Sequence, residues 1–101
     1  MRDQQIMQQV KEILAQISKI APGHAVELRI PPYSAIQCVE GPKHTRGTPP
    51  NVVEMSADSL FELVNGKLDW DAGIDNGAIH ASGERSNLKE LFSELQNRIT
   101  Q

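Results

Sequence analysis

The chain has 101 residues, of which 39% are hydrophobic and 23% charged, and its formal net charge is −3. This length suits one domain with one core, and the mild acidity excludes the broad basic face typical of nucleic-acid binding. There is no signal-peptide pattern, no apolar run near the ~20 residues of a membrane span, and a single cysteine, Cys38, which fits a reducing compartment. We therefore expect a cytoplasmic protein with one domain over residues 1–101.

The first predicted element is an amphipathic helix over residues 1–21. Apolar side chains recur at helical spacing from Ile6 to Ile20, with Gln, Lys and Glu between them. Pro22 and Gly23 then end the helix. The sheet and the remaining helices are expected in residues 24–101.

The next segments change to a period of two, which predicts strands. In "HAVELRI", Val26, Leu28 and Ile30 face one way, and two prolines follow them. "YSAIQCV" comes directly after the prolines, so we expect it to pair antiparallel with the first strand. "NVVEM", residues 51–55, is predicted to be a third strand.

Two short helices and one strand follow. Ser56 is a favourable N-cap for a helix with an apolar stripe of Leu60, Phe61 and Val64. Asn65-Gly66 and Asn76-Gly77 are stop signals. Between them we expect Asp69 to cap a second helix, which buries Trp70 and Ile74 on one side. "AIHASG" is predicted to be the fourth strand.

The last predicted element is a helix capped by Ser86. Its apolar stripe consists of Leu88, Leu91, Phe92, Leu95 and Ile99. The complete order is α-β-β-β-α-α-β-α. Strands that are grouped, rather than alternating with helices, predict an α+β fold with helices packed on one face of the sheet.

The segment "GPKHTRGTPP", residues 41–50, is rich in proline and glycine and carries a small basic cluster. Lys43, His44 and Arg46 are candidates for binding an anion or the head group of a ligand. The alternative is a solvated connection in which Arg46 pairs with Glu40 or Glu54. Asn51 is expected to satisfy backbone groups of a turn in either case.

The second half of the chain resembles sterol carrier protein type two domains. The landmarks are a strand and helix ending in Gly66-Lys67, a short helix ending in Gly77, and a strand ending in Gly83-Glu84 before the last helix. The front, "VELRIPPYSAIQCVEGPKHTRGTPPNVVE", is similar to the small bacterial sterol-carrier-like branch. A related module forms the C-terminal domain of mycothiol-dependent maleylpyruvate isomerases. The resemblance covers residues 25–95.

This resemblance implies a mainly antiparallel, twisted sheet of four to five strands, with an apolar cavity between sheet and helices. It also implies a ligand of the lipid, fatty acid or acyl-CoA type. The family usually has a further strand where this chain has "GPKHTRGTPP". We take as cavity candidates the apolar residues expected between sheet and helices, since such pockets are mostly apolar. They are Ile36, Cys38, Val53, Met55, Phe61, Trp70, Ile74 and Phe92.

The sequence offers no pattern for catalysis, a cofactor or a metal site. His24, His44 and His80 have no zinc-type spacing. The acids of "DWDAGID" lack the turn glycine and the final glutamate of a calcium loop, so we interpret them as helix caps.

We therefore predict a non-enzymatic binding module for an apolar or amphipathic ligand. The alternative is a protein-interaction or accessory domain with a closed core, which binds another protein or a second copy of itself through an exposed edge strand or the basic segment.

Overall fold

The computed structural model describes residues 2–41 and 51–100, with side chains to residue 98. None of the helices in this described part has both the length and the apolar character needed to cross a membrane. The elements follow the predicted order: α1 (Arg2–Ile20), β1 (Val26–Ile30), β2 (Ser34–Cys38), β3 (Asn51–Met55), α2 (Ala57–Val64), α3 (Trp70–Asp75), β4 (Ile79–Ser82) and α4 (Lys89–Thr100).

The four strands form one mixed sheet in the order β2-β1-β3-β4. β1 pairs antiparallel with β2, as the hairpin prediction required, and Leu28 lies opposite Ile36. β1 pairs parallel with β3, while β3 and β4 are antiparallel. The sheet is therefore mainly antiparallel, and among the described strands β2 and β4 lie at its edges.

All the helices pack on one face of this sheet. In β1, Val26, Leu28 and Ile30 are fully buried and belong to the same apolar cluster as residues of the helices. Glu27 and Arg29, which alternate with them, point to the opposite face and remain partly exposed. The period-two pattern thus determines which face the helices cover.

Helix α1 packs across β2 and also contacts α2 and α4. Its buried stripe consists of Val10, Leu14 and Ile17, which recur at the helical period. Burial of each such side chain contributes about 1.5–3 kcal/mol. The apolar stripe of α1 is therefore part of the core of the same chain.

Helix α2 begins and ends as the sequence indicates. The Ser56 hydroxyl accepts a hydrogen bond from the Ser59 amide at 3.1 Å. At the other end, Gly66 has a φ of +76°, and the Lys67 amide donates to the Glu62 carbonyl. This is a Schellman termination, in which glycine adopts the left-handed conformation at least cost.

The predicted burial is wrong at two helix positions. Ile74 is 38% exposed, because α3 turns Trp70 and Gly73, three residues apart, toward the interior and leaves Ile74 to one side. In α2, Phe61 is only half-buried, and Leu63 takes the buried place. Leu63 lies three residues after Leu60, on the face that meets the core.

The predicted cap of the last helix is also wrong. The Ser86 hydroxyl donates to the Gly83 carbonyl at 2.8 Å and closes the turn after β4. Helix α4 begins only at Lys89, where the Asn87 side chain accepts a hydrogen bond from the Lys89 amide. Ser86 is buried in this turn, so it acts in the connection before the helix.

Asn51 joins three parts of the fold. It is 6% exposed. Its amide nitrogen donates to the Ala25 carbonyl at 2.9 Å, and its amide oxygen accepts from the Arg85 backbone amide at 2.9 Å. The prediction that Asn51 satisfies backbone groups is confirmed, and the residue ties the start of β3 to the start of β1 and to the turn before α4.

Candidate functional site

Three of the cavity candidates, Cys38, Val53 and Met55, are buried in one continuous apolar cluster together with residues of the helices. Three depressions at the surface are lined by described residues and are candidates for ligand binding.

One depression lies between the end of α2, the start of α3 and one face of α4. We call it the aromatic groove; its volume is about 170 Å³. Helix α4 contributes residues at helical spacing, so that a single face lines the groove. The complete lining is Leu63, Gly66, Leu68, Asp69, Trp70, Lys89, Phe92, Ser93 and Gln96.

Two stacked aromatic rings form the base of the aromatic groove. The ring centroids of Trp70 and Phe92 are 6.0 Å apart, and the planes differ by 22°. These residues are 5% and 3% exposed, so only a small part of each ring is accessible from the groove. The contact between two such rings stabilises the fold by about 0.5–1.5 kcal/mol beyond the burial of their surface. The pair therefore holds an apolar surface in a fixed position.

The termination of α2 shapes one wall. A Cβ on Gly66 would collide with the side-chain amide of Gln96. The absence of a side chain at residue 66 therefore lets Gln96 of α4 lie directly against the turn. Asp69 then caps α3 by accepting from the Ala72 amide at 3.4 Å, which confirms its interpretation as a cap and places Trp70 at the first helical position.

The charges on the rim are arranged around one lysine. The Lys89 ammonium donates to the Asp71 carboxylate at 2.5 Å. This hydrogen bond, with the charges of Asp71 and Asp69, raises the pKa of Lys89. Lys89, Asp71 and Asp69 together carry one positive and two negative charges, so this part of the rim has a net negative charge.

Two further depressions lie along the outer side of the sheet. The first, of about 370 Å³, is beside the β1–β2 turn. It includes Arg29, whose guanidinium donates to Glu27 at 3.1 Å. This hydrogen bond raises the pKa of Arg29, and the Glu54 charge acts in the same direction. The positive charge of Arg29 is therefore already balanced by nearby carboxylates.

The second outer depression, which we call the edge depression, has a volume of about 540 Å³. Its lining includes Val52 and His80 from the outer face, but also Ile79 and Ala81 from the face that the helices cover, together with Ile74. Both faces of β4 contribute, so the depression extends around the free edge of that strand.

In the described part of the chain, Cys38 is buried and no cluster of metal-ligating side chains is found. Burial raises the pKa of the Cys38 thiol to about 11, and the side chain is 0% exposed, which keeps it protonated and inert. Within residues 2–41 and 51–100, no three His, Cys, Asp or Glu side chains are grouped so that they could hold a metal ion.

The structure brings together only part of the predicted ligand-binding set. Trp70 and Phe92 meet in the aromatic groove, whereas Ile74 lies in the edge depression. Ile36 and Phe61 are half-buried at the margin of the core. The proposed head-group residues, Lys43, His44 and Arg46, lie outside the described residues, and so does the suggested pairing of Arg46.

Sequence reasoning missed several residues of the groove: Leu63, Leu68, Lys89, Ser93 and Gln96. One signal was available, since Lys89, Phe92, Ser93 and Gln96 share one face of a helix. The sequence did not indicate which element this face of α4 contacts, because α2 and α4 are separated by α3 and β4 in the chain.

The architecture is that of a small α+β domain with helices on one face of a four-stranded sheet. The model of a family described as bacterial SCP ortholog, where SCP denotes sterol carrier protein, matches residues 2–93. The chain therefore belongs to this bacterial sterol-carrier-like family, as the sequence landmarks predicted. A comparison with curated proteins found no match.

Proposed function

We propose that the protein is a non-enzymatic binding module for an apolar or amphipathic ligand, and that it receives this ligand at the aromatic groove. The observation that carries the proposal is the stacked Trp70–Phe92 pair, which lies under a depression open to solvent. The family match supports it, because the sterol-carrier resemblance implies ligands of the lipid, fatty acid or acyl-CoA type. The single Cys38 agrees with a cytoplasmic location.

Binding would be driven by removing apolar surface from water, at about 0.8 kcal/mol for each buried methylene. Leu63 and Leu68 supply the apolar walls beside the two rings, while Ser93 and Gln96 supply polar atoms at the rim. Apolar and polar side chains thus contribute about equally to the lining, so that an amphipathic ligand finds partners for both of its parts.

Trp70 is the only tryptophan, so its fluorescence reports on the groove. We expect titration with a medium-chain alcohol, a fatty acid or an acyl-CoA to change its emission with at least one of these ligands. Native mass spectrometry should show the corresponding mass increase, which is lost under denaturing conditions. Unchanged emission and an unmodified mass with all three ligands would refute the proposal.

Two variants of α4 test whether the ligand binds in the aromatic groove. Ser93 is exposed and lines the groove, so Ser93→Phe should fill it and abolish the response. Glu90 is equally exposed on α4 but lies outside the lining, and Glu90→Phe should retain binding. Equal loss in both variants would show that the effect does not arise in the groove.

A second candidate function is protein interaction through the free edge of β4. The favouring observation is the edge depression, which extends around a strand without charged side chains, "IHAS". An edge strand presents backbone donors and acceptors to another extended strand. Two copies could pair β4 antiparallel across a twofold axis.

The two edge strands offer a matched test. Ala81 on β4 and Ala35 on β2 are both exposed alanines. A charged residue blocks strand addition at an edge. If a dimer forms through β4, Ala81→Lys should give a monomer by sedimentation and Ala35→Lys should not. A wild-type monomer at high concentration would exclude self-association through this edge.

A further inference from the structure

We propose that the aromatic groove selects ligands whose apolar part is about the size of one six-membered ring and whose polar group carries no negative charge. This inference rests on the proposed function and narrows it to a ligand class. It is carried by the size of the groove and by the charges on its rim.

The volume limits the apolar part. A cavity of ~150 Å³ lined by aliphatic and aromatic side chains accommodates benzene, and the aromatic groove has about 170 Å³. A sterol nucleus or a complete long acyl chain is several times larger. Because the groove is open to solvent, this volume limits the part of a ligand that lies inside it to a single ring or the end of a chain beside Trp70 and Phe92.

The charges on the rim of the groove limit the charge that the polar group of a ligand can carry. Lys89 is the cation in the lining, and its ammonium is already held by Asp71, with Asp69 beside it. A carboxylate ligand would have to displace Asp71 and would also be repelled by Asp69. A hydroxyl or amide group meets neither penalty. Ser93 offers it a hydroxyl, which both donates and accepts hydrogen bonds.

The test compares three compounds with the same cyclohexyl ring: cyclohexylmethanol, cyclohexanecarboxylate and cyclohexylmethylammonium. Binding is followed by Trp70 emission and by amide chemical shifts of the ¹⁵N-labelled protein, read at Gly66 and Ser93. We expect the alcohol and the ammonium compound each to bind at least about fivefold more tightly than the carboxylate in dilute buffer, the ratio expected for one like-charge repulsion across a few ångströms of water. Added salt should reduce the difference.

Asp71→Asn should reverse this selectivity. The substitution leaves Lys89 and Asp69 on the rim, so that the lysine becomes available to a carboxylate. The affinity ratio of carboxylate to alcohol should rise by roughly fivefold or more. Asp75→Asn is the matched control, because Asp75 is exposed on the same helix but is not among the carboxylates that act on Lys89. It should leave the ratio unchanged.

The outcomes separate the two proposals. If the carboxylate binds as tightly as the alcohol, or if Asp71→Asn leaves the ratio unchanged, the charge selectivity is refuted while the binding function stands. If a fatty acid occupies the groove with its whole chain buried, the size limit is refuted. If neither these compounds nor the longer ligands bind, the proposed function fails together with the inference.

Discussion

Replacement of Asn51 by alanine should be among the most destabilising single polar substitutions in this chain. The side chain makes two hydrogen bonds of 2.9 Å, one to the Ala25 carbonyl and one from the Arg85 amide. Ala25 is buried, so water cannot readily replace the lost donor. An unsatisfied buried acceptor costs about 1–3 kcal/mol.

The second hydrogen bond contributes less. Arg85 is exposed, and its amide can be hydrated after the substitution, so the loss is about 0.5–1.5 kcal/mol. The sum predicts that Asn51→Ala lowers the free energy of unfolding by about 2–4 kcal/mol. For a domain of this size, such a change lowers Tm by at least about 8 °C.

Urea denaturation followed by circular dichroism measures this difference. With a slope near ~2 kcal/mol/M, the midpoint should fall by about 1 M or more. Asn65→Ala is the matched control, since Asn65 is an exposed helix C-cap, and it should change stability by less than about 0.5 kcal/mol. A midpoint of Asn51→Ala within error of wild type would refute the reasoning.

Asn51→Asp separates the two hydrogen bonds. The aspartate keeps an acceptor for the Arg85 amide but has no donor for the Ala25 carbonyl at neutral pH. If the buried acceptor dominates, this variant should be at least as unstable as Asn51→Ala. Stability close to wild type would instead assign the main contribution to the Arg85 amide.

The remaining predictions concern a thiol, two turns and two isoleucines. Cys38 should resist alkylation at pH 8 until urea unfolds the chain, and rapid labelling of the native protein would contradict its burial. Burial raises the pKa of this thiol from 9.0 to about 11. The free energy of unfolding should therefore be unaffected by this group below pH 9 and should fall as the pH rises from 9 to 11. Gly66→Ala and Gly77→Ala should each cost about 1–2 kcal/mol, because both glycines have a positive φ. The Cβ at residue 66 would meet only the end of the Gln96 side chain, which can move aside. A much lower urea midpoint for Gly66→Ala than for Gly77→Ala would show instead that Gln96 is held in place. Ile79 is buried, so Ile79→Ala should lower the free energy of unfolding by about 2–5 kcal/mol. Ile74 is exposed, so Ile74→Ala should lower it by less than ~1 kcal/mol. Similar losses for both variants would support the prediction from sequence that Ile74 is buried.

Local signals predicted the elements and their order well. The apolar period identified α1 and β1, and Asn-Gly pairs ended α2 and α3 at Gly66 and Gly77 as expected. These signals act within a few residues of the backbone, through side-chain alternation and the left-handed conformation that glycine accepts. The errors fell where burial depends on a neighbouring element, at Phe61, Ile74 and Ser86.

The candidate site was predicted only in part. Trp70 and Phe92 were selected as apolar residues, but the expectation placed them in a cavity between sheet and helices. Their stacking, and the groove above them, depend on how the end of α2 meets α4. The role of Lys89 depends equally on the approach of Asp71 from α3.

The sequence by itself determined the α+β class, the face of each strand that is buried and the family to which the chain belongs. These properties follow from the spacing of apolar residues and from caps and turns, which are short-range features. The tertiary structure decided the parallel pairing of β1 with β3 and the aromatic groove. It also decided the conformation of Val39, a β-branched residue with a φ of +69°. Hydrogen bonds with the distant Ala21 and Ala25 backbones hold that residue, and such long-range contacts have no local sequence signal.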